Sequence, residues 1–235
     1  MSTPPKLDTK EAGVAKLSIE GSEIDFPIVE GSEGERGVDI SQLRAKTGLI
    51  TLDDGFVNTG STKSAITFLD GEKGILRYRG YPIEELAKHC DFVETAFLLI
   101  YGELPNASQA EIFRAGIRDH TMIHEDMRSF YNGFPRDAHP MAILSSVVGA
   151  LATFYQDSLN PNDPGQVEIS LYRLLAKLPT IAAYSYKKSM GQPFMYPNND
   201  LSYCENFLHM MFATPAREYM VDPDFAEALN LLFIV

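Results

Sequence analysis

Arg173 and Lys177 stand four residues apart in a run whose leucines recur at helical spacing. Two cations at i and i+4 repel slightly on a bare helix. The pair suits either a solvated face or an anion site, and Tyr155 is placed to offer such a site a flat ring. His120 and His124 are also four apart, a spacing that on a helix can hold a metal. Thr121, not glutamate, follows His120, and no third ligand is evident. Buried or hydrogen-bonded imidazoles on a helix face are therefore expected, and no metal site is assigned. His139 precedes Pro140 and is placed to cap a helix. His89 and His209 carry no constellation. Cys90 and Cys204 are the only cysteines, which implies neither a disulfide framework nor a thiolate zinc site. There is no Walker or Rossmann phosphate loop, GxSxG or CxxC. No residue is assigned as catalytic or cofactor-binding.

The elements that must hold these groups fall into three stretches. Residues 1–14 read as a loose start. Residues 15–80 read as a β-rich region. Within it, 16–28 form a hairpin about Gly21, and the acidic, Gly-rich 30–37 a loop. Short strands at 49–51 and 56–57 flank the Asp53-Asp54-Gly55 turn, and strands at 66–69 and 75–78 flank the turn at 70–74. Gly80-Tyr81-Pro82 turns the chain again, with Pro82 in a first helical turn.

Residues 81–235 are helical, with clear punctuation. Asp91-x-x-Glu94 resembles a capping box opening 92–101, and Ser108-x-x-Glu111 one opening a helix that carries Phe113, Ile117, His120, His124, Met127 and Tyr131. Pro140 opens 141–155. Val167, Leu171, Leu174, Leu175 and Leu178 stripe a helix stopped by Pro179, and 180–190 is another, ended by Gly191. Ser202-x-x-Glu205 opens 203–213. Asp222-Pro223 opens a last helix with a core stripe of Phe225, Leu229, Leu232 and Phe233. It runs to Val235 with no glycine, cap or basic last turn. This predicts a chain interrupted inside a larger helical domain.

The totals bound the function. The chain has 235 residues, 45% of them hydrophobic, enough for a sizeable core. Its net charge of −12 argues against a nucleic-acid or anionic-membrane partner. The start of the chain has no secretory h-region, and the longest mostly apolar stretch, 141–155, is shorter than the roughly 20 residues a bilayer span needs. A reducing, cytoplasmic location is expected.

Four blocks, ITFLDGEKGILRYRGYPIEEL from Ile66, HTMIHE from His120, RDAHPMA from Arg136 and GQPFMYPNNDLSYCENFLHMMF from Gly191, resemble citrate synthase of the bacterial type with a β-rich head. The likeness runs from about Lys16 to Val235. It implies a mainly α fold: an incomplete citrate-synthase-like helical large domain over 81–235 behind the small β-rich region. The activity implied is condensation of acetyl-CoA with oxaloacetate and water to citrate and CoA, at the entry to the tricarboxylic acid cycle. Acetyl-CoA is a substrate, no cofactor is permanently bound, and the assembly is a homodimer or hexamer.

In this family an aspartate and two histidines do the acid–base work, and arginines hold the carboxylates. Their HADHE-like, GPxHG-like and GxGH…DPR-like motifs do not occur here, so the 235-residue chain alone is expected to be inactive. Some members are inhibited by NADH, and the matching positions are Asp119, His120, Thr121, Tyr155, Arg173 and Lys177. Asp119 departs from the arginine the resemblance implies and repels a pyrophosphate. Two rivals remain: 2-methylcitrate synthase, which uses propionyl-CoA, and a non-enzymatic helical binding module.

Overall fold

The computed structural model describes residues 9–235. The chain divides into two compact units, one running through Ile83 with Leu98–Glu103, the other formed by Glu84–Phe97 and Leu104–Val235.

The first unit is built from short strands. β1 (Lys10–Ile19), β2 (Ser22–Glu30) and β3 (Arg36–Val38) form one antiparallel sheet in that order. The expected hairpin is present. Its two-residue turn takes positive φ at Glu20 and Gly21, 50° and 86°, which matches the twist of the flanking strands. β1 begins inside the stretch expected to be loose; the rest of that expectation, residues 1–8, lies outside the described residues. The acidic loop closes at Gly31 and Gly34, and its end pairs as β3, a strand the reading of 30–37 as a plain loop missed.

A five-residue helix α1 (Leu43–Thr47) follows. The strands expected at 49–51 and 56–57 are absent. Asp53 instead accepts from Asn58 N–H at 2.8 Å and Thr59 Oγ1–H at 2.6 Å, closing a loop around a 3-10 turn at Asp54–Phe56. Leu52 and Val57 stay exposed, so no strand face exists to bury.

β4 (Thr67–Asp70), β5 (Ile75–Tyr78) and β6 (Tyr81–Pro82) make a second sheet, with β4 and β5 where expected. Arg79-Gly80 is the second tight turn, and Pro82 pairs with Arg77 in β6 instead of entering the helix. Arg77 Nη1 bridges both oxygens of Glu33 at 2.9 and 3.0 Å, tying the two sheets of this unit.

The helices are α2 (Ile83–His89), α3 (Phe92–Tyr101), α4 (Ala107–Arg118), α5 (Met127–Asn132), α6 (Pro140–Phe154), α7 (Pro164–Met190), α8 (Tyr203–Phe212) and α9 (Pro223–Ile234). The mainly α fold is as expected. The Asp91–Glu94 box caps α3 in both directions, and Arg114 of α4 donates to both carboxylates at 2.7 and 2.8 Å. α4 opens two residues earlier than expected, on a box between Asn106 and Gln109. It ends at Arg118, so His120 and His124 lie in a connection and share no helix face.

α7 is one helix of 27 residues and passes through Pro179, where a stop was expected. Proline cannot donate to the carbonyl four residues back, which is that of Leu175. The Tyr203 hydroxyl donates to this oxygen at 2.8 Å. α7 also buries the opposite side from the one its leucines suggest: Leu174 and Leu178 are exposed, while Lys177 and Lys187 are buried. A core of Met127, Tyr131, Ile143, Val147, Leu151, Ile181 and Tyr184 joins α5, α6 and α7. Along α9, Phe225 and Leu232 of the expected core stripe are exposed and Ile234 is buried.

Candidate functional site

Both cations of the pair on α7 lie over the ring of Tyr155, where α6 ends. The Arg173 guanidinium carbon is 4.5 Å from its ring centroid, and Lys177 Nζ is 5.0 Å from it. A ring face offsets part of the cost of withdrawing a cation from water. Each cation has a further partner. Arg173 makes two parallel bonds to Asp157, Nη1 to Oδ1 at 2.7 Å and Nη2 to Oδ2 at 3.0 Å, and Nη1 also donates to Ser158 Oγ at 2.7 Å. Its Nε is buried without a hydrogen-bond partner. The pairing holds the Asp157 carboxyl below the usual range.

Lys177 is 2% exposed, and its Nζ donates to the carbonyls of His120 and Met122, both at 2.6 Å. Burial, reinforced by Arg173, lowers its pKa to about 8. One turn on, Thr180 Oγ1 donates to the Thr121 carbonyl at 2.8 Å. Three successive carbonyls of the connection after α4 are thus pinned to α7. The Thr121 hydroxyl donates to Asn199 Oδ1 at 2.9 Å, with the Arg118 carbonyl, 3.2 Å away, as the competing acceptor for its one proton.

The His120 ring sits 2.8 Å from the Gly116 carbonyl through Nδ1 and stacks on Tyr172 at 6.4 Å. Gly116 is in mid-helix because a Cβ there would meet the Tyr172 ring at 2.5 Å. Asp119, the last residue of the α4 turn, is exposed.

The structure therefore brings His120, Thr121, Tyr155, Arg173 and Lys177 into one cluster. It adds Asp157 and Asn199, which the sequence reading did not single out. Asp157 left a faint signal, an acid two residues past Tyr155; Asn199 left only its place in an Asn-Asn-Asp turn. The cluster can hold charge and fix a loop, but it contains no pairing of a nucleophile with a base.

The remaining histidines and the cysteines lie outside this cluster. His139 Nδ1 accepts from Met141 N–H and caps α6. His124 packs on Phe154, and exposed His89 lies 3.5 Å from Glu85. Burial, with Lys187 nearby, lowers the pKa of His209. Both cysteines are free, and burial pushes the Cys204 thiol up to about 12. Among the described residues, no group of three or more His, Cys, Asp or Glu is placed to hold a metal, and no helix is long and apolar enough to cross a membrane.

Comparison with known proteins gives one consistent answer. The family model described as "Citrate synthase, C-terminal domain" matches residues 55–235. Citrate synthase 1 of Mycobacterium tuberculosis is 57% identical over 221 residues, covering 94% of this chain and 51% of that protein. Citrate synthase of Corynebacterium glutamicum is 49% identical over the same shares. Among solved structures, citrate synthase from Pyrobaculum aerophilum is similar at a TM-score of 0.68 and 27% identity, over 98% of this chain and 51% of that one. Citrate synthase from Thermotoga maritima is similar at 0.63 and 30%, over 78% and 46%. The chain spans about half the length of the curated relatives it matches.

Proposed function

Because this chain belongs to the citrate synthase family, we propose that it is part of an enzyme condensing acetyl-CoA with oxaloacetate and water to citrate and CoA. The observation that carries this is the 57% identity, over 94% of the chain, to a protein named citrate synthase 1. In this reading acetyl-CoA is an acyl donor consumed in the reaction, and no cofactor stays bound. The working assembly is a cytoplasmic homodimer or hexamer with small-molecule partners only. Residues 15–80 form its β-rich head, and 81–235 the front of its helical large domain. Relatives named citrate synthase favour acetyl-CoA over propionyl-CoA and an enzyme over a helical binding module.

No catalytic residue is assigned within these 235 residues. The His120 cluster packs and pins, and the family's acid–base motifs are not among its members. The test is CoA-thiol release from acetyl-CoA and oxaloacetate. The full-length protein is expected to release thiol, and to do so faster with acetyl-CoA than with propionyl-CoA. The 235-residue chain is expected to release none. Thiol release by the chain alone would overturn the assignment of no catalytic residue, and a preference for propionyl-CoA would overturn the substrate.

A second reading concerns regulation: NADH as an allosteric inhibitor held by His120, Thr121, Tyr155, Arg173 and Lys177. Two cations converging on one ring favour it. For a pyrophosphate to bind there, Arg173 must exchange Asp157 for it. Asp157→Asn should then lower the NADH concentration giving half-inhibition of the full-length enzyme. Absence of saturable inhibition at physiological salt, in both the parent and this variant, would remove the reading.

A further inference from the structure

Beyond the Tyr155 cluster, three cations from three different elements face a second recess. Arg128 comes from α5, Arg136 from the connection before α6, and Lys188 from the last turn of α7. Together with Asn132, Gln192 and the Phe194 ring they line a recess of about 320 Å³. No carboxylate lines it, in a chain where 32 acidic residues outnumber 20 basic ones.

Cations near a helix C-terminus often serve its unpaired carbonyls. At the end of α7 the backbone already does this. Gln192 N–H donates to the Lys187 carbonyl at 3.0 Å, and Gly191 N–H to that of Lys188 at 3.2 Å. This is the two-bond closure that a residue at positive φ permits, and Gly191 has φ 67°. The cations are therefore surplus to the cap. Among the described residues, the side chains of Arg136 and Lys188 form no hydrogen bond or ion pair.

The recess is also organised. The Arg136 guanidinium lies so close over Gly191 that a Cβ there would meet Nη2 at 2.5 Å. Arg128 is oriented by Tyr196 Oη at 2.9 Å, Glu125 at 3.2 Å and the Phe194 face at 5.8 Å. Gln192 uses its oxygen to accept from buried Lys187 at 2.8 Å, leaving its amide nitrogen as the end able to donate. A pocket lined by guanidinium, ammonium and amide donors without an acid matches a compact anion with several oxygens.

We propose that this recess binds a small multivalent oxyanion, a phosphate group or a polycarboxylate, through Arg136 and Lys188 with Arg128 at its side.

The probes are inorganic phosphate and tricarballylate, titrated into the purified chain by calorimetry and thermal unfolding. Ionic strength is held constant with sodium chloride, because such salts also stabilise proteins by exclusion from their surface. At least one probe is expected to bind saturably, and the Arg136→Gln/Lys188→Gln variant to bind it about tenfold or more weakly. Saturation by phosphate alone assigns the phosphate class; saturation by tricarballylate assigns the polycarboxylate. No saturable binding of either, or equal binding by the variant, overturns the proposal. Should the variant fail to fold, crystals of the parent chain soaked in tungstate decide: density between Arg136 and Lys188 supports the site, and its absence there overturns it.

Discussion

Lys177 gives its ammonium to two carbonyl oxygens and an aromatic face, with no carboxylate among the partners named for it. Replacing it by Met leaves the carbonyls of His120 and Met122 without their donor. A hydrogen bond to a charged group contributes about 1.5–3 kcal/mol, so Lys177→Met should destabilise the chain by a few kcal/mol. The pH dependence has a definite sign. Well below pH 8, folded and unfolded chains both carry the proton. Between about 8 and the ordinary lysine value of 10.5 the folded chain gives it up and the unfolded chain keeps it. With fewer protons on the folded state, stability rises with pH through that window. The stability difference between parent and Lys177→Met, from urea melts, should therefore widen by on the order of 2 kcal/mol from about pH 7 to about pH 10. A constant difference would mean that this lysine titrates at its ordinary value. Residue types singled out this lysine but left it open between a solvated face and an anion site. Its burial depends on the loop carbonyls that receive it, and these are not visible in the spacing.

Helix α7 marks where local reading ends. Caps made by near neighbours in sequence were legible: Asp91 with Glu94, Ser202 with Glu205, His139 before Pro140, Asp222 before Pro223. Each works through atoms at most four residues apart. The start of α4 was read at Ser108, but Asn106-x-x-Gln109 fits the same pattern, and in the structure the asparagine makes the cap. Pro179 was misread for a different reason. A proline stops a helix when the carbonyl it orphans has no donor, and here the donor is a tyrosine 28 residues later, on another helix. Tyr203→Phe should cost about 1–2 kcal/mol, the penalty for a buried carbonyl left unpaired. In a Pro179→Ala background the new amide N–H can serve Leu175, so the same change should cost much less. A double-mutant cycle by denaturant melts should give a coupling near 1 kcal/mol. Zero coupling would mean that Tyr203 stabilises α7 through its ring alone, against Phe92 and Phe233.

Across the whole chain, spacing paired Arg173 with Lys177 and set Tyr155 beside them, and family resemblance joined His120 and Thr121 to them, which periodicity could not have done across such separate stretches. Periodicity did find α9, but it assigned Phe225 and Leu232 to a core. Burial needs a second surface, and a pattern in one helix does not report whether one is there. Phe225 is 66% and Leu232 71% exposed, while Ile234, on the other side of the helix, is 2% exposed. Phe225 and Leu232 are seven apart and share a face, so their exposure forms a stripe. Stripes of this kind promote association, and the −12 charge opposes it only at low salt. Light scattering of the purified chain should show self-association that increases with salt, and Phe225→Ser/Leu232→Ser should suppress it. That double variant should change unfolding free energy by no more than about 0.5 kcal/mol, as exposed positions do, whereas Ile234→Ala should cost roughly 2–4 kcal/mol through the cavity it leaves. If the double serine variant lost as much stability as Ile234→Ala, the stripe would be packed against something in solution, and the isolated chain would not present the surface described.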